Sequence, residues 1–197
     1  MMLERGVVLD HSSINRWAIR FLPLLEKLFR NHKHGVGKSW RMDETYIKVK
    51  GVWKYLYRAV DKEGKTVDFL LTAKRDALAA RRFFAKTMQH NDVPDTVTMD
   101  KSGANKAALD QLNMEREIPI KIRQVKYLNN IVEQDHRAVK RVTRPMLGFK
   151  SFRSAQAVLA GIELMHMIRK GQFMIEGCDR ISFADQFYAL AGQVRPA

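Results

Sequence analysis

The chain has 197 residues, of which 46% are hydrophobic and 28% charged, a composition typical of a globular protein with one well-buried core. No apolar run approaches the length of a bilayer span and the first residues lack a signal-peptide pattern, so we expect a cytoplasmic protein with no membrane partner. The 35 Lys and Arg residues against 21 Asp and Glu residues give a net charge of +14, which indicates a polyanionic partner. The single cysteine, Cys178, excludes an internal disulfide.

The first 35 residues show the apolar spacing of α-helices. Asp10, Ser12 and Ser13 are candidate N-caps of a first helix. Pro23 predicts the start of a second helix, because proline is tolerated in a first turn. The polar, glycine-containing stretch 31–37 predicts a linker.

From Trp40 the apolar period changes from helical to alternating, which predicts β-strands. Three strands with short turns, at 42–49, 53–60 and 66–72, favour an antiparallel meander. The elements that follow are a helix at 76–89, a strand at 96–99, a helix at 104–116, a strand at 120–125, and helices at 129–144, 154–170 and 183–190. This order predicts an α/β domain with a mixed five-stranded sheet and flanking helices, preceded by a short helical region.

Three carboxylates on separate elements are candidate metal ligands. Asp43 lies within the first strand, Asp100 follows the fourth strand, and Glu133 lies in the first turns of a helix. Carboxylates hold Mg²⁺ while leaving positions for water and phosphate oxygens, and two such ions suit in-line displacement at a phosphodiester. Glu44 should face the other side of its strand, and Asp135 should lie about 200° around the helix from Glu133, so we expect neither in the site.

The helix that carries Glu133 also presents a basic stripe. Arg137, Lys140 and Arg144 follow Glu133 at helical spacing, so one face offers a carboxylate and then three cations. These cations could grip phosphates that flank the site, or they could be solvated residues and ion-pair partners of Glu133. A denser excess of charge surrounds them, since residues 116–153 hold ten Lys and Arg against three Asp and Glu.

Four groups of motifs resemble transposases of one family of bacterial insertion sequences, the IS-six family, over roughly residues 3–175. The motifs are Trp40–Val49 with Gly51–Asp61, Thr98–Ser102, Lys126–Arg137, and Gly148–Phe152 with Ala160–Glu163. The resemblance implies a ribonuclease-H-like fold and a DDE transposase, with Asp43, Asp100 and Glu133 as a catalytic triad that binds two Mg²⁺ or Mn²⁺ ions.

The same resemblance implies a reaction in two steps. Water hydrolyses a phosphodiester at the transposon end and frees a 3′-hydroxyl, which then attacks target DNA. The expected partners are the terminal inverted repeats, target DNA and further copies of the chain in a homo-oligomer. Lys140 matches a basic residue near the transposon end, and Lys126 and Asn129 of the third motif are further DNA-binding candidates.

The N-terminal region resembles the end of a longer helical region, so we expect a partial helix-turn-helix. Its recognition helix, Ser12–Leu22, would read DNA through Ser13, Asn15 and Arg16, or it would be a packing helix beneath Trp17. The predicted division is residues 1–37 for this region and linker, 38–175 for the DDE core and 176–197 for a tail.

Two other functions remain open at this stage. One is a ribonuclease-H-like nuclease that cuts DNA without joining it, and the other is a non-catalytic, DNA-binding remnant of a transposase. The aromatic side chains of Trp53, Tyr55 and Tyr57 alternate along a strand, and we expect them to form one face of the sheet rather than a base-stacking surface.

Overall fold

A computed structural model of the chain describes residue 6, residues 9–175 and residues 182–193, except for the side chains of residues 126 and 127. Cys178 and parts of the predicted tail, 176–181 and 194–197, lie outside the described residues. In chain order the elements are α1 His11–Arg30, β1 Ser39–Val49, β2 Val52–Asp61, β3 Thr66–Thr72, α2 Ala77–His90, β4 Thr96–Met99, α3 Gly103–Met114, β5 Lys121–Gln124, a 3-10 turn Lys126–Asn129, α4 Asn130–Thr143, a 3-10 turn Arg144–Met146, α5 Phe152–Arg169 and α6 Phe183–Gln193. Within this described part, no helix is long and apolar enough to cross a membrane.

The chain divides into two compact units, and the larger one, Gly35–Phe149, contains the sheet. Its strand order is β3-β2-β1-β4-β5. Strands β1, β2 and β3 pair antiparallel, whereas β4 runs parallel to both β1 and β5. The structure therefore confirms the predicted meander, the mixed five-stranded sheet and the α/β class.

Helices cover both faces of this sheet, so β2, β3 and β4 bury consecutive residues although successive side chains point to opposite faces. The face of Trp40, Met42 and Tyr57 packs against Phe83 of α2 and Leu109 of α3 in one apolar core. The opposite face carries Thr45, Ile47 and Val49, which are buried, and α4 packs on β1 there. Successive side chains of β1 thus point alternately towards α2 and α3 and towards α4. This alternation places Asp43 on the face that α4 covers.

The smaller unit, which comprises residues 1–34 and 150–197, contains α1, α5 and α6. Phe29, Leu164, Ile168 and Leu190 belong to its apolar core. At Gly161 on α5, an added Cβ would meet the Cδ1 atom of Leu22 at 2.5 Å, so α1 and α5 approach closely. These packing units do not test the functional division at residues 37 and 175, which stays a prediction.

The prediction of two helices before residue 35 is wrong. Helix α1 runs unbroken from His11 to Arg30 with Pro23 in its interior, and the carboxylate of Asp10 caps it by accepting the Ser13 N–H at 2.7 Å. Proline removes one backbone hydrogen bond, and packing of the helix on α5 and on the core around Phe29 compensates for that loss.

Candidate active site

Asp43 and Asp100 come from neighbouring strands. The parallel register of β1 and β4 pairs Ser39 with Thr96 and Arg41 with Thr98. Asp43 and Asp100 each lie two residues beyond the last of these pairs, so the two acids come at the same level of neighbouring strands. Asp100 lies just beyond the carboxyl end of β4, where sites in α/β sheets commonly form.

Glu133 approaches the same place from α4. His136, one helical turn after Glu133, is buried, and its Nδ1 atom lies 3.6 Å from Oδ2 of Asp43. Residues three apart share a helix face, so Glu133 also faces this part of β1. The three carboxylates that the sequence singled out thus meet at one region of the larger unit.

The electrostatics of Asp43 are consistent with this proximity. Burial, followed by the charges of Glu44, Asp100 and Glu133, raises the pKa of Asp43 to about 7. Three carboxylates that repel one another are a donor set that suits a hard divalent cation. As they stand, however, no three His, Cys, Asp or Glu side chains of the described residues are close enough together to form a metal cluster.

Arg75 is a residue of the site that the sequence did not indicate. Its guanidinium donates a hydrogen bond to the buried carboxylate of Glu44, and its Nη2 atom lies 3.7 Å from Oδ2 of Asp100. Asn105 donates to the other oxygen of Glu44 at 3.0 Å, and the Ser102 N–H donates to Oδ1 of Asp100 at 3.0 Å. Glu44 faces away from Asp43, as predicted, yet it holds the arginine that contacts Asp100.

A buried arginine lies on the same face of the sheet as Asp43. Arg58, which is fully buried and pairs with Asp43 across the β1–β2 ladder, contacts Asp135 at 3.0 Å. Residues that pair directly across antiparallel strands project to the same face, so Asp135 comes close to this part of the sheet, and its predicted exclusion from the acidic site stays a prediction. Burial, with Arg58 and Lys140 nearby, lowers the pKa of His136 to about 3, so the imidazole beside Asp43 is neutral near pH 7.

The basic candidates on α4 face outward to different degrees. Arg137 and Arg144 are exposed and Lys140 is half-buried, with Arg144 at the C-cap of the helix. Asn129 is buried instead, and its amide donates to the carbonyl of Met42 at 3.3 Å. The prediction of DNA contact by Asn129 finds no support in this arrangement, which makes Asn129 an anchor between the start of α4 and β1.

The remaining candidates for DNA contact are Lys126 and three residues of α1. The side chain of Lys126 lies outside the described residues. In the smaller unit, Asn15 and Arg16 are exposed on α1, and Arg16 donates to Oγ of Ser13 at 3.1 Å. Arg16 also lines a cleft together with Arg20 and Arg153, so the first turns of α1 present positive charge.

The strand order and the helices on both faces give the larger unit a ribonuclease-H-like fold. The catalytic core domain of HTLV-2 integrase, solved in complex with magnesium in a dimeric form, has the same fold. The TM-score is 0.53 at 15% sequence identity, over 66% of this chain and 87% of that one.

Sequence relatives narrow the class to a family. The DDE domain of the IS240 transposase family matches residues 37–172. In Staphylococcus aureus, the transposase of insertion sequence-like element IS431mec is 37% identical over 172 residues, 86% of this chain and 75% of the relative. The transposase of IS257 in transposon Tn4003 is 37% identical over 168 residues, 84% and 73% of the two chains. The chain belongs to the DDE transposases of the IS-six family, as its motifs predicted.

Proposed function

We propose that this transposase works in the cytoplasm on transposon ends and target DNA, with Asp43, Asp100 and Glu133 as its catalytic carboxylates. The single observation that carries the assignment is the convergence of the three acids, since Asp43 and Asp100 lie on neighbouring strands and His136, one turn after Glu133 on α4, lies 3.6 Å from Asp43. We propose further that the three carboxylates draw together around two divalent cations, Mg²⁺ or Mn²⁺. Such ions supply Lewis-acid activation of the attacking oxygen and stabilise the leaving oxygen.

The surrounding residues hold these carboxylates for that task. Arg75 and the Ser102 N–H each fix one oxygen of Asp100, while neutral His136 lies beside Asp43 without adding charge. Asn129 links the start of α4 to β1, which fixes the helix that carries Glu133. The chain thus contributes orientation and negative charge to the reaction and needs no protein nucleophile.

Each proposed step breaks one phosphodiester bond at phosphorus and forms a new bond from phosphorus to the attacking oxygen. Hydrolysis breaks the bond between phosphorus and the 3′ oxygen, leaving a 3′-hydroxyl on the transposon end and a 5′-phosphate on the flank. In strand transfer that hydroxyl attacks a target phosphodiester, and the broken target strand leaves with its own 3′-hydroxyl. The exposed cations Arg137 and Arg144, with Lys140, would hold phosphates that flank the reacting one.

A strand-joining assay tests the triad. Wild-type protein is incubated with Mg²⁺ or Mn²⁺, supercoiled plasmid and a labelled duplex that ends in the 3′-hydroxyl of the element's own terminus. We expect joined product from wild type and at least a 100-fold loss in Asp100→Asn and in Glu133→Gln. Asp110→Asn and Glu115→Gln serve as matched controls with wild-type activity, since they change a half-exposed acid of α3 and an exposed acid at its C-cap.

Three outcomes would contradict the proposal. Joined product from Asp100→Asn or Glu133→Gln at the wild-type rate removes the triad assignment. Cutting without joining by wild type indicates the nuclease, and DNA binding without either reaction indicates the non-catalytic remnant. Calorimetric titration with Mn²⁺ gives a second readout, since binding that is equal in wild type and both triad variants excludes these carboxylates as ligands.

For the smaller unit we propose that α1 contacts the terminal inverted repeat, and that several copies of the chain assemble on DNA. The support is local: Asn15 and Arg16 are exposed, and Arg16 lies in a cleft with two further arginines. Asn15→Ala with Arg16→Ala should reduce the preference for terminal-repeat duplex over scrambled duplex. An unchanged preference would leave α1 as a packing helix.

A further inference from the structure

A cavity of about 540 Å³ opens beside the basic end of α4, within the larger unit. Its walls are the edge of β1 at Tyr46 and Lys48, the start of β2 at Trp53, and the end of α4 at Lys140 and Arg144. This volume falls within the range of about 300–1,000 Å³ typical of small-molecule sites. The cavity is separate from the carboxylates, because none of the three lines it.

Aromatic rings line the mouth of this cavity while remaining open to solvent. The side chains of Tyr46 and Trp53 are 47% and 56% exposed, and their ring centroids lie 6.3 Å apart at 76°. The ammonium of Lys48 lies 5.9 Å from the centroid of the Trp53 ring. Although the sequence favoured a sheet face over a base-stacking surface for Trp53, an exposed indole next to cations can stack on a nucleobase while the cations bind its phosphate.

The far wall of the cavity is a loop, residues 147–149, that backbone hydrogen bonds fasten to the end of β1. The Phe149 N–H donates to the carbonyl of Lys48 at 2.8 Å, and the Lys50 N–H donates to the carbonyl of Phe149 at 2.8 Å. Gly148 has a φ of +108°, and a Cβ there would meet the Lys48 carbonyl oxygen at 3.1 Å, so this close approach requires glycine.

Leu147, which precedes this glycine, combines two unfavourable properties. It has a left-handed φ of 54° and an 88% exposed apolar side chain, and it lines the cavity. Backbone strain of this kind is unfavourable and gathers at ligand sites. Together with the absence of any acidic residue from the cavity lining, it indicates a ligand that is both apolar and anionic.

We infer that this cavity binds one unpaired nucleobase of the DNA strand that α4 holds, with the base stacked on Trp53 and its phosphate near Lys140 and Arg144. Lys140 and Arg144 follow Glu133 by seven and eleven residues, about 10 and 16 Å along the helix axis. At about 3.4 Å per nucleotide, the captured base lies about three to five nucleotides from the reacting phosphate. The inference rests on the proposed function, since it takes DNA as the bound molecule.

Fluorescence anisotropy on three labelled probes tests the base pocket without divalent metal. One probe is a duplex with a five-nucleotide single-stranded extension, the second carries abasic sites throughout that extension, and the third is fully paired. Wild type should bind the base-bearing extension roughly 5- to 150-fold more tightly than the abasic one. Trp53→Ala should lose this preference while binding the paired duplex as wild type does.

Two further variants separate stacking from folding. Trp53→Phe keeps an aromatic ring and should keep most of the preference, whereas Tyr188→Ala removes an equally exposed ring from α6 and should change nothing. Equal affinity of wild type for base-bearing and abasic extensions, or a preference that survives in Trp53→Ala, would overturn the pocket. If wild type joins strands but binds base-bearing and abasic extensions equally, only the pocket is overturned. If wild type prefers the base-bearing extension but joins no strands, only the proposed function is overturned.

Discussion

The ionised carboxylate of Asp43 lowers the free energy of unfolding of the metal-free protein. Burial and the neighbouring carboxylates raise its pKa to about 7 from a model-peptide value near 3.8, so the folded state binds a proton more tightly than the unfolded chain does. The free energy of unfolding due to this group therefore falls as the pH rises from about 4 to about 7 and stays low above that. His136, whose pKa is lowered, acts in the opposite direction below about pH 6.5.

Replacing Asp43 by asparagine should therefore stabilise the metal-free protein while abolishing strand joining. We expect a gain of up to about 4 kcal/mol at pH 8, reduced by the partial exposure of the side chain, and almost none at pH 4. Urea unfolding at several pH values in EDTA, followed by the fluorescence of buried Trp40, measures the difference between variant and wild type. The difference in unfolding free energy between the two proteins reports the ionisation of Asp43, because His136 is present in both.

Asp110→Asn is the matched control, since Asp110 pairs with Lys106 on the exposed face of α3. It should change stability little, and equally at both pH values. A stability gain in Asp43→Asn that is the same at pH 4 and pH 8 would contradict the raised pKa.

Among the elements, α1 and α5 depend on one glycine for their contact. Gly161 lies where an added methyl group would meet Leu22 at 2.5 Å, and its Cδ2 and Cγ atoms at 3.0 and 3.1 Å. Leu22 precedes Pro23, the residue that removes a hydrogen bond from the middle of α1. The packing of these two helices, rather than helix propensity, therefore holds α1 together at this point.

Gly161→Ala should destabilise the smaller unit by about 1–3 kcal/mol, although alanine is the better helix former. Gly192→Ala in α6, where a Cβ meets nothing within 4 Å, should instead be neutral or stabilising by up to about 1 kcal/mol. Thermal unfolding of both variants, followed by circular dichroism, checks the pair. Equal effects of the two substitutions would mean that Leu22 moves aside freely.

For the whole molecule, the net charge of +14 makes DNA affinity dependent on salt. The logarithm of the affinity falls linearly with the logarithm of the salt concentration, and each phosphate that a cation neutralises makes this slope steeper by about 0.9. The cations of α4 lie on the larger unit and the arginine cleft of α1 on the smaller one. Both units therefore contribute to the proposed attraction for DNA.

Lys140→Ala should weaken binding to all duplexes alike and lower the magnitude of this slope by about 1, with little loss of stability. Lys121→Ala is the control, since Lys121 is exposed at the start of β5, the end of the strand away from the carboxylates. Titration at four salt concentrations gives the slopes. A wild-type slope for Lys140→Ala would exclude this lysine from phosphate contact.

The sequence by itself determined the family, the order of helices and strands along the chain from Trp40 onward, and the elements that carry the three carboxylates. Each follows from local information: alternating side chains, turn residues and the motifs around Asp43, Asp100 and Glu133. It also predicted that Glu44 faces the opposite side of β1 from Asp43, because the period of a strand fixes the direction of its side chains. These parts of the fold were predictable because each lies within a single element or a single motif.

Tertiary structure alone decided how distant elements meet. Arg75 bridges Glu44 and Asp100 across residues far apart in sequence, and Asn129 is buried against Met42 rather than exposed to DNA. Pro23 stays inside a helix because α5 packs against it from residues more than a hundred positions away. The cavity at Trp53 arises likewise, from a loop that two backbone hydrogen bonds fasten to β1. No local period encodes such contacts, because their geometry depends on which faces the folded chain brings together.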